Sequence, residues 1–201
     1  KFDDPILIKN ILEVNDSIVK KDPVNLLIQP SPVNKFLGYP LGLAINNLAN
    51  DNPDEKFRIW LEKNENRYNR LEKLITNKQI DQLKRYNSSF NDFLKNIGQK
   101  PITINDIDID KNIERLKRFY DSNGYFDSNI TYDSIIESNQ LTAKYSVETK
   151  ERYLIDSITV NIESKDLDSL YKANISQSQI KKSEFFTIDK LILERDRLIK
   201  L

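Results

Sequence analysis

The fold is decided by residues 108–148, which read DIDKNIERLKRFYDSNGYFDSNITYDSIIESNQLTAKYSVE. The first part is charged but carries an apolar side chain at every third or fourth position, at Ile109, Ile113, Leu116 and Tyr120. This spacing places the four side chains on one face of an amphipathic helix, which we expect over 110–122. Asn123-Gly124 predicts the end of that helix, because glycine readily takes the positive φ that closes a helix at its C-terminus.

Three aspartates stand at the start of this helix, at positions 106, 108 and 110. Any of Asp106, Asp108 and Asp110 can be the N-cap, because a carboxylate accepts hydrogen bonds from the free N–H groups of a first helical turn. Their spacing also imitates the start of a calcium-binding loop. That loop needs Gly at its sixth place and Glu at its twelfth, where this chain has Lys111 and Lys117. We therefore predict a helix cap and no metal site.

Two segments with alternating polarity follow the helix, at 129–137 and 140–148. In the second segment every other residue is apolar, at Leu141, Ala143, Tyr145 and Val147. In the first segment Ile130, Tyr132 and Ile136 share one face. A period of two predicts strands, so we expect an antiparallel hairpin with one face buried and the other in contact with water.

The composition narrows the classes of function. Among the 201 residues, 31 Lys+Arg balance 31 Asp+Glu, so the basic excess typical of nucleic-acid-binding proteins is absent. The sequence contains no His and no Cys, which removes thiol and Ser–His mechanisms and the commonest metal ligand. It also has neither a G-x-S-x-G motif nor a phosphate-binding loop. We expect no nucleic-acid partner, no cofactor and no enzymatic activity, with a carboxylate hydrolase as the rival interpretation.

The chain contains no apolar run long enough to cross a bilayer, so no transmembrane helix is predicted. It also contains no Met, even at position 1. We therefore expect a processed product or an excised piece of a longer chain.

The residues before the central stretch read as a strand at 6–14, a short helix opened by Asp22-Pro23, and two or three helices within 54–97. Gly98 stands where a helix takes its closing glycine. The apolar, glycine- and proline-containing segment 33–43 is expected to be a buried, irregular connection beneath these helices. The alternative is an exposed interaction patch.

The residues after the central stretch read as a strand at 153–163 followed by helical segments. Strand, helix, helix, strand, strand therefore describes 6–148 if about 41–100 is an insertion. Strand, helix, helix describes 153–201. We predict two modules of one fold, at 1–150 and 151–201, the second of them incomplete.

A family resemblance joins these observations. Residues 115–126, RLKRFYDSNGYF, resemble the long helix followed by N-G-Y-F in the POTRA modules of BamA/TamA-family outer-membrane assembly proteins. Residues 142–150 and 153–158 resemble the last strand of such a module, its turn, and the first strand of the next module. Lys150 stands where the family usually has Gly in that turn.

Earlier stretches resemble the Bacteroidetes TamA-like (TamL) branch of the family. These are 29–38, Trp60-Leu61 and 93–102. The resemblance implies an α+β fold of tandem POTRA modules, each β-α-α-β-β with a small mixed sheet covered by helices.

The resemblance also implies a function and a place. The chain would be an arm on the periplasmic side of the outer membrane, in a factor for protein assembly or translocation. Its partners would be unfolded outer-membrane proteins or accessory assembly subunits. A β-barrel or a lipid anchor, neither of which is present in this chain, would hold it at the membrane. The alternative is a structural spacer that docks partner subunits without binding clients.

The same resemblance predicts an exposed edge strand as the protein-binding site. Its residues are Asn129, Ile130, Thr131, Tyr132, Asp133, Ser134 and Ile135. The other interpretation is an edge that a neighbouring helix or module blocks. Gly124, Tyr125 and Phe126 are expected to be structural, with Gly124 ending the helix and the two aromatic rings packing the helix end onto the sheet.

Overall fold

The computed structural model of the protein describes residues 4–20, 22–37, 39–63 and 65–201. Over these residues the chain is α+β, with seven α-helices and a small mixed sheet of four strands. The predicted α+β class, with a small mixed sheet and helices, is therefore confirmed.

The chain divides into two compact units. One comprises Lys1–Ile8 and Pro32–Thr103, and the other comprises Lys9–Ser31 and Ile104–Leu201. The helical insertion expected at about 41–100 lies within the first unit. The boundary between modules at residue 150 stays a prediction.

The sheet has the strand order β2-β1-β4-β3. Its strands are β1 (Ile6–Val14), β2 (Ser17–Ile18), β3 (Asn129–Glu137) and β4 (Gln140–Glu148). The pairs β1–β2 and β3–β4 are antiparallel. Along β1 and β4, Glu13 meets Ser146, and Asn15 further on meets Val147 and Thr149. The two strands therefore run in the same direction, and β3 lies at one edge.

The β3–β4 hairpin confirms the predicted alternation. The register sets Ile130 opposite Val147 and Tyr132 opposite Tyr145. The apolar side chains of β4 are 0–1% exposed, so this face forms the core of the unit. The two turn residues, Ser138 and Asn139, have φ of 48° and 64°. This is the type I′ geometry that fits the twist of a tight hairpin.

The predicted amphipathic helix is α5 (Ile109–Ser122). Asp108 is its N-cap and accepts a hydrogen bond from Lys111 N at 3.1 Å. At the other end Gly124 has a φ of +87°. Leu116 is completely buried and Tyr120 is nearly so, which places the predicted apolar face in the core.

A polar residue that the apolar pattern left out also lies in this core. Asn112 on α5 is 0% exposed. Its amide donates to Gln29 O at 2.6 Å and to Tyr145 Oη at 2.8 Å, and its oxygen accepts from Gln29 N at 2.9 Å. Asn112 therefore fastens the backbone at Gln29 to α5 and the sheet, with its own polar groups satisfied.

The first unit contains four of the α-helices. They are α1 (Leu41–Leu48), α2 (Pro53–Glu62), α3 (Glu65–Leu74) and α4 (Asn77–Ile97). The helices expected over 54–97 are thus confirmed. Gly98 ends α4, but with a φ of −74°. Glycine is needed there for space, because a Cβ would lie 2.7 Å from Asn46 N.

The expected burial of segment 33–43 is wrong for most of its large side chains. Val33 is buried, but Phe36, Leu37 and Tyr39 are 65%, 87% and 74% exposed. Phe36 and Tyr39 bond to each other through two backbone hydrogen bonds of 2.8 and 2.9 Å. This short turn satisfies the backbone locally and leaves the three side chains outside the core.

The strand expected over 153–163 is also wrong for most of its length. Residues 153–155 bond through the backbone to 183–186, with an isolated bridge between Leu154 and Phe185. Residues 156–163 make no backbone–backbone hydrogen bond within the part of the chain that the structure describes. The returning segment turns away at Ser183, which has a φ of 66°, so its pairing with the stretch ends at Ile155. The stretch 153–163 is followed by α6 (Lys165–Ala173), and α7 (Ile188–Leu198) follows the returning segment.

Candidate functional site

The predicted binding residues all lie on β3. Among the described strands β3 pairs only with β4, so its other side is an open edge. The side chains of Asn129, Thr131 and Asp133 are exposed, whereas those of Ile130 and Tyr132 are half-buried. The predicted residues from 129 to 133 therefore alternate between the solvent-exposed face and the core-facing side of one strand.

The hairpin geometry decides which backbone groups point outward. A two-residue turn is closed by a hydrogen-bonded pair, here Glu137 and Gln140. Every second residue back from Glu137 is then bonded to β4. The N–H and C=O groups of Ile130, Tyr132, Ser134 and Ile136 consequently point to the open edge. An extended peptide can bond to such a row with little regard to its sequence.

One of these outward groups is already in use. Asp133 Oδ1 accepts a hydrogen bond from Ser134 N at 2.8 Å. Asp133 and Glu137 also place negative charges along the edge. Charges and occupied N–H groups are common means by which edge strands avoid unwanted pairing. The edge is therefore without a neighbouring strand in the described part of the chain, but one of its outward N–H groups is occupied and two carboxylates lie along it.

The hairpin end of β3 is apolar on both faces. Ile135 is 42% exposed and its neighbour Ile136 is 52% exposed. Successive residues of a strand point to opposite faces, so a further strand added here would meet an isoleucine on either face. Apolar contact and backbone pairing are therefore available at the same place.

The strand behind the edge is held by an ion pair. Lys144 Nζ of β4 lies 2.7 Å from a Glu13 carboxylate oxygen of β1, and both side chains are mostly buried. The hydrogen bond from Lys144 lowers the pKa of Glu13 below its ordinary value. This contact joins β4 to β1, so β4 has a neighbour on both sides whereas β3 lies at an edge of the sheet.

Gly124 is confined by space as well as by φ. It is buried, and a Cβ added there would lie 2.8 Å from Phe186 O. Its own carbonyl accepts a hydrogen bond from Tyr153 N at 2.9 Å. Two later segments of the chain therefore close directly onto the helix end.

Aromatic rings surround this glycine. Tyr125 meets Tyr120 of α5 edge-on at 6.1 Å, whereas Phe126 contacts Tyr153 at 5.3 Å and Phe186 at 5.1 Å between ring centroids. Phe126 thus packs on later segments of the chain, and not only at the helix end as the sequence suggested. Hydrogen bonding of the Tyr153 hydroxyl to Asp127 raises the pKa of Tyr153.

Arg152 completes the same assembly. Its Nε donates to Asn123 O at 2.7 Å, and its guanidinium lies over the rings of Phe185 and Tyr125 at 4.7 and 5.6 Å. We call this set the corner cluster. Its members are Gly124, Tyr125, Phe126, Arg152, Tyr153, Phe185 and Phe186. Sequence reasoning missed Arg152 and the Phe185-Phe186 pair, for which two adjacent aromatics before a helix were the only signal.

A second unpaired stretch of backbone is residues 156–163. Ile158, Val160 and Ile162 line a groove of about 330 Å³ together with side chains of α6 and α7, among them Tyr171 and Leu198. Ile158 and Val160 are 46% and 45% exposed. The alternation seen in the sequence is therefore real, although the backbone is not part of the sheet.

Glu194 of α7 is a buried carboxylate beside this groove, 6% exposed. It accepts hydrogen bonds from Arg197 Nη2 at 2.6 Å, Gln179 N at 2.8 Å and Ser178 Oγ at 3.1 Å. The bond to Arg197 outweighs the effect of burial and lowers the pKa of Glu194 to about 2. A carboxylate this strongly stabilised in its charged form fixes the loop before α7 and is a poor proton donor at neutral pH.

The described residues show no sign of two other kinds of site. Among them, no helix combines the length and apolar character needed to cross a membrane. Nor do three or more acidic side chains in the described ranges come together as metal ligands would. Asp108, part of the calcium-like spacing, instead caps α5 and pairs with Lys111 Nζ at 2.7 Å.

No protein-family model, no curated protein and no solved structure matches this chain.

Proposed function

We propose that the chain is a POTRA-type arm of a BamA/TamA-family outer-membrane assembly protein, on the periplasmic side of that membrane, and that it binds client or accessory proteins along β3. The observation that supports this most strongly is the open edge of β3, at the predicted position in a small mixed sheet. The resemblance of 115–126 to the POTRA helix and N-G-Y-F corner supplies the family.

Binding by strand addition would need no catalytic group. The outward N–H and C=O groups of Ile130, Tyr132 and Ile136 would pair with an extended segment, and Ile135 would add apolar contact. Unfolded barrel proteins are suitable clients, because their strands alternate polar and apolar residues and leave the backbone unpaired before insertion. A β-barrel or lipid anchor outside this sequence would hold the arm at the membrane.

One observation favours the alternative of a structural spacer. The bond from Ser134 N to Asp133 blocks the middle of the edge, and such protection is typical of an edge strand that avoids pairing. The two functions differ in whether unfolded clients contact the edge at all.

Site-specific photocrosslinking separates the two functions. A photoreactive residue at Thr131, exposed on β3, is expected to form adducts with an unfolded outer-membrane protein. The matched control is Asp110, which is exposed on α5 and is not part of β3. Adducts from Thr131 but not from Asp110 support client binding. Equal adducts from both positions, or none from either, would favour the spacer.

A further inference from the structure

Helix α4 exposes a row of large apolar side chains. Its members are Leu83, Tyr86, Phe90, Phe93 and Ile97, which are 46%, 73%, 61%, 54% and 51% exposed. We call this row the α4 seam. The rings of Phe90 and Phe93 stack on each other at 6.4 Å between centroids. A contiguous apolar row of this size on a helix surface marks an interaction site.

The packed face of the same helix is largely polar. Asn91 Nδ2 donates to Asn50 O at 2.7 Å, and Ser88 Oγ donates to Asp54 at 2.7 Å. These bonds attach α4 to the neighbouring residues of α2 and the loop before it. A surface helix normally turns its apolar stripe inward. Here hydrogen bonds hold the inner face, and the outer face is left for another partner.

The spacing along the seam indicates that the partner is a helix. From Leu83 to Ile97 the apolar residues recur at alternating intervals of three and four. This is the repeat at which two helices interlock side chains over a shared seam. The 14-residue span covers roughly 21 Å at 1.5 Å per residue, enough for two facing helices to interlock over four turns.

The residues that flank the seam fit a second copy of α4 running the opposite way. If Leu83 faces Phe93 of the copy, then Tyr86 faces Phe90, and both contacts occur twice about a two-fold axis. Gln82, Ser89 and Asn96, which border the seam, are uncharged, so no repulsion opposes this pairing.

The charges beyond this border are complementary in the same register. Arg85 and Asp92 are exposed, and neither forms an ion pair with another residue that the structure describes. An antiparallel copy brings Arg85 of each chain opposite Asp92 of the other. Opposite charges matched by a two-fold axis select self-association over pairing with an unrelated helix.

We propose that the α4 seam is the interface of an antiparallel homodimer of this chain. Five large side chains, which are 46–73% exposed, would bury on the order of 1,000 Å² over both copies, near the lower limit for a specific interface. The dimer should therefore dissociate reversibly on dilution. This inference is independent of client binding at β3.

Sedimentation velocity of the 201-residue chain tests the proposal. The wild-type chain should shift from monomer to dimer as concentration rises. Phe90→Ser should abolish the shift, because it removes the two contacts nearest the axis. Leu74→Ser is the matched control, since Leu74 is 80% exposed on α3 and lies outside the seam. All these side chains are exposed, and circular dichroism should report the wild-type helix content for each variant.

Reversing the charges of Arg85 and Asp92 tests whether the partner is a second copy of α4 and whether it runs antiparallel. Arg85→Asp and Asp92→Arg should each weaken dimerisation roughly tenfold, because two attractive pairs become repulsive. An equimolar mixture of the two variants should regain wild-type affinity, since every facing pair is then opposite in charge. A wild-type chain that stays monomeric would overturn the proposal. So would a Leu74→Ser effect as large as that of Phe90→Ser, or a mixture that stays as weak as its components.

Discussion

At the residue scale, Asn112 is the polar anchor of the core between α5 and the sheet. Asn112→Ala should lower the unfolding free energy by about 1–3 kcal/mol, because it removes the partner of Gln29 N and Gln29 O and leaves the buried Tyr145 hydroxyl without one. Chemical denaturation measures the change. Asn129→Ala, at an exposed position, is the control and should change stability little. Equal stability of both variants would contradict the role given to Asn112.

Glu194 makes the stability of the second half of the chain depend on pH. Its pKa is about 2 in the folded chain, against an ordinary value of 4.5 in the unfolded chain. As pH falls below 4.5, the unfolded chain takes up the proton first. The contribution of Glu194 to the unfolding free energy should therefore be fully present above pH 4.5. It should be lost as the pH falls from 4.5 to about 2. Glu194→Gln should flatten this part of the curve. Parallel curves for the two proteins would refute the assignment.

At the element scale, the bond between Asp133 and Ser134 N predicts a substitution on β3 that increases binding. Most substitutions at a binding site reduce it. Asp133→Ala frees Ser134 N and should increase crosslinking of an unfolded client at Thr131 several-fold. Glu137→Ala is the matched control, because it removes the same charge from β3 without releasing a backbone N–H. If both variants raise crosslinking equally, the negative charge alone accounts for the weaker pairing at the edge. Unchanged crosslinking in Asp133→Ala would mean that Ser134 N takes no part in binding.

Elements with a complete local signal were predictable from the sequence. The spacing of Leu116 and Tyr120 and the Gly124 corner defined α5, and strict alternation defined β4. Segment 153–163 alternates as well, but a strand also needs a neighbour, and neighbours are set by distant parts of the chain. Segment 33–43 has an apolar composition that could not reveal a self-bonded turn with its side chains outside.

The buried polar residues were not predictable from the sequence either. Asn112 and Glu194 are buried because distant groups satisfy them, and no periodicity signals such partners. The candidate edge was placed on β3 by family resemblance. Its bond between Asp133 and Ser134 N depends on backbone direction, which sequence alone does not give.

At the scale of the whole molecule, the corner cluster decides whether the two predicted modules behave as one body or two. It joins the end of α5 to residues 152–153 and 185–186 through one backbone hydrogen bond, the side chain of Arg152 and two aromatic contacts of Phe126. These contacts cross the predicted boundary at 150. A binding arm with such a joint would present β3 in a fixed direction relative to the segment that follows.

Gly124→Ala tests this rigidity. Alanine at a φ of +87° is strained, and its Cβ would press on Phe186 O from 2.8 Å, so the joint should open at a cost of about 1–3 kcal/mol. Amide hydrogen exchange should then accelerate at Tyr153, whose N–H bonds across the joint to Gly124 O, and at Phe186, whose N–H bonds to Tyr153 O. β4 should stay protected. Ser122→Ala, two residues earlier on α5, is the control and should leave both amides slow. Equal acceleration throughout β4 would instead mean that the two sides unfold together, and that the cluster belongs to a single core.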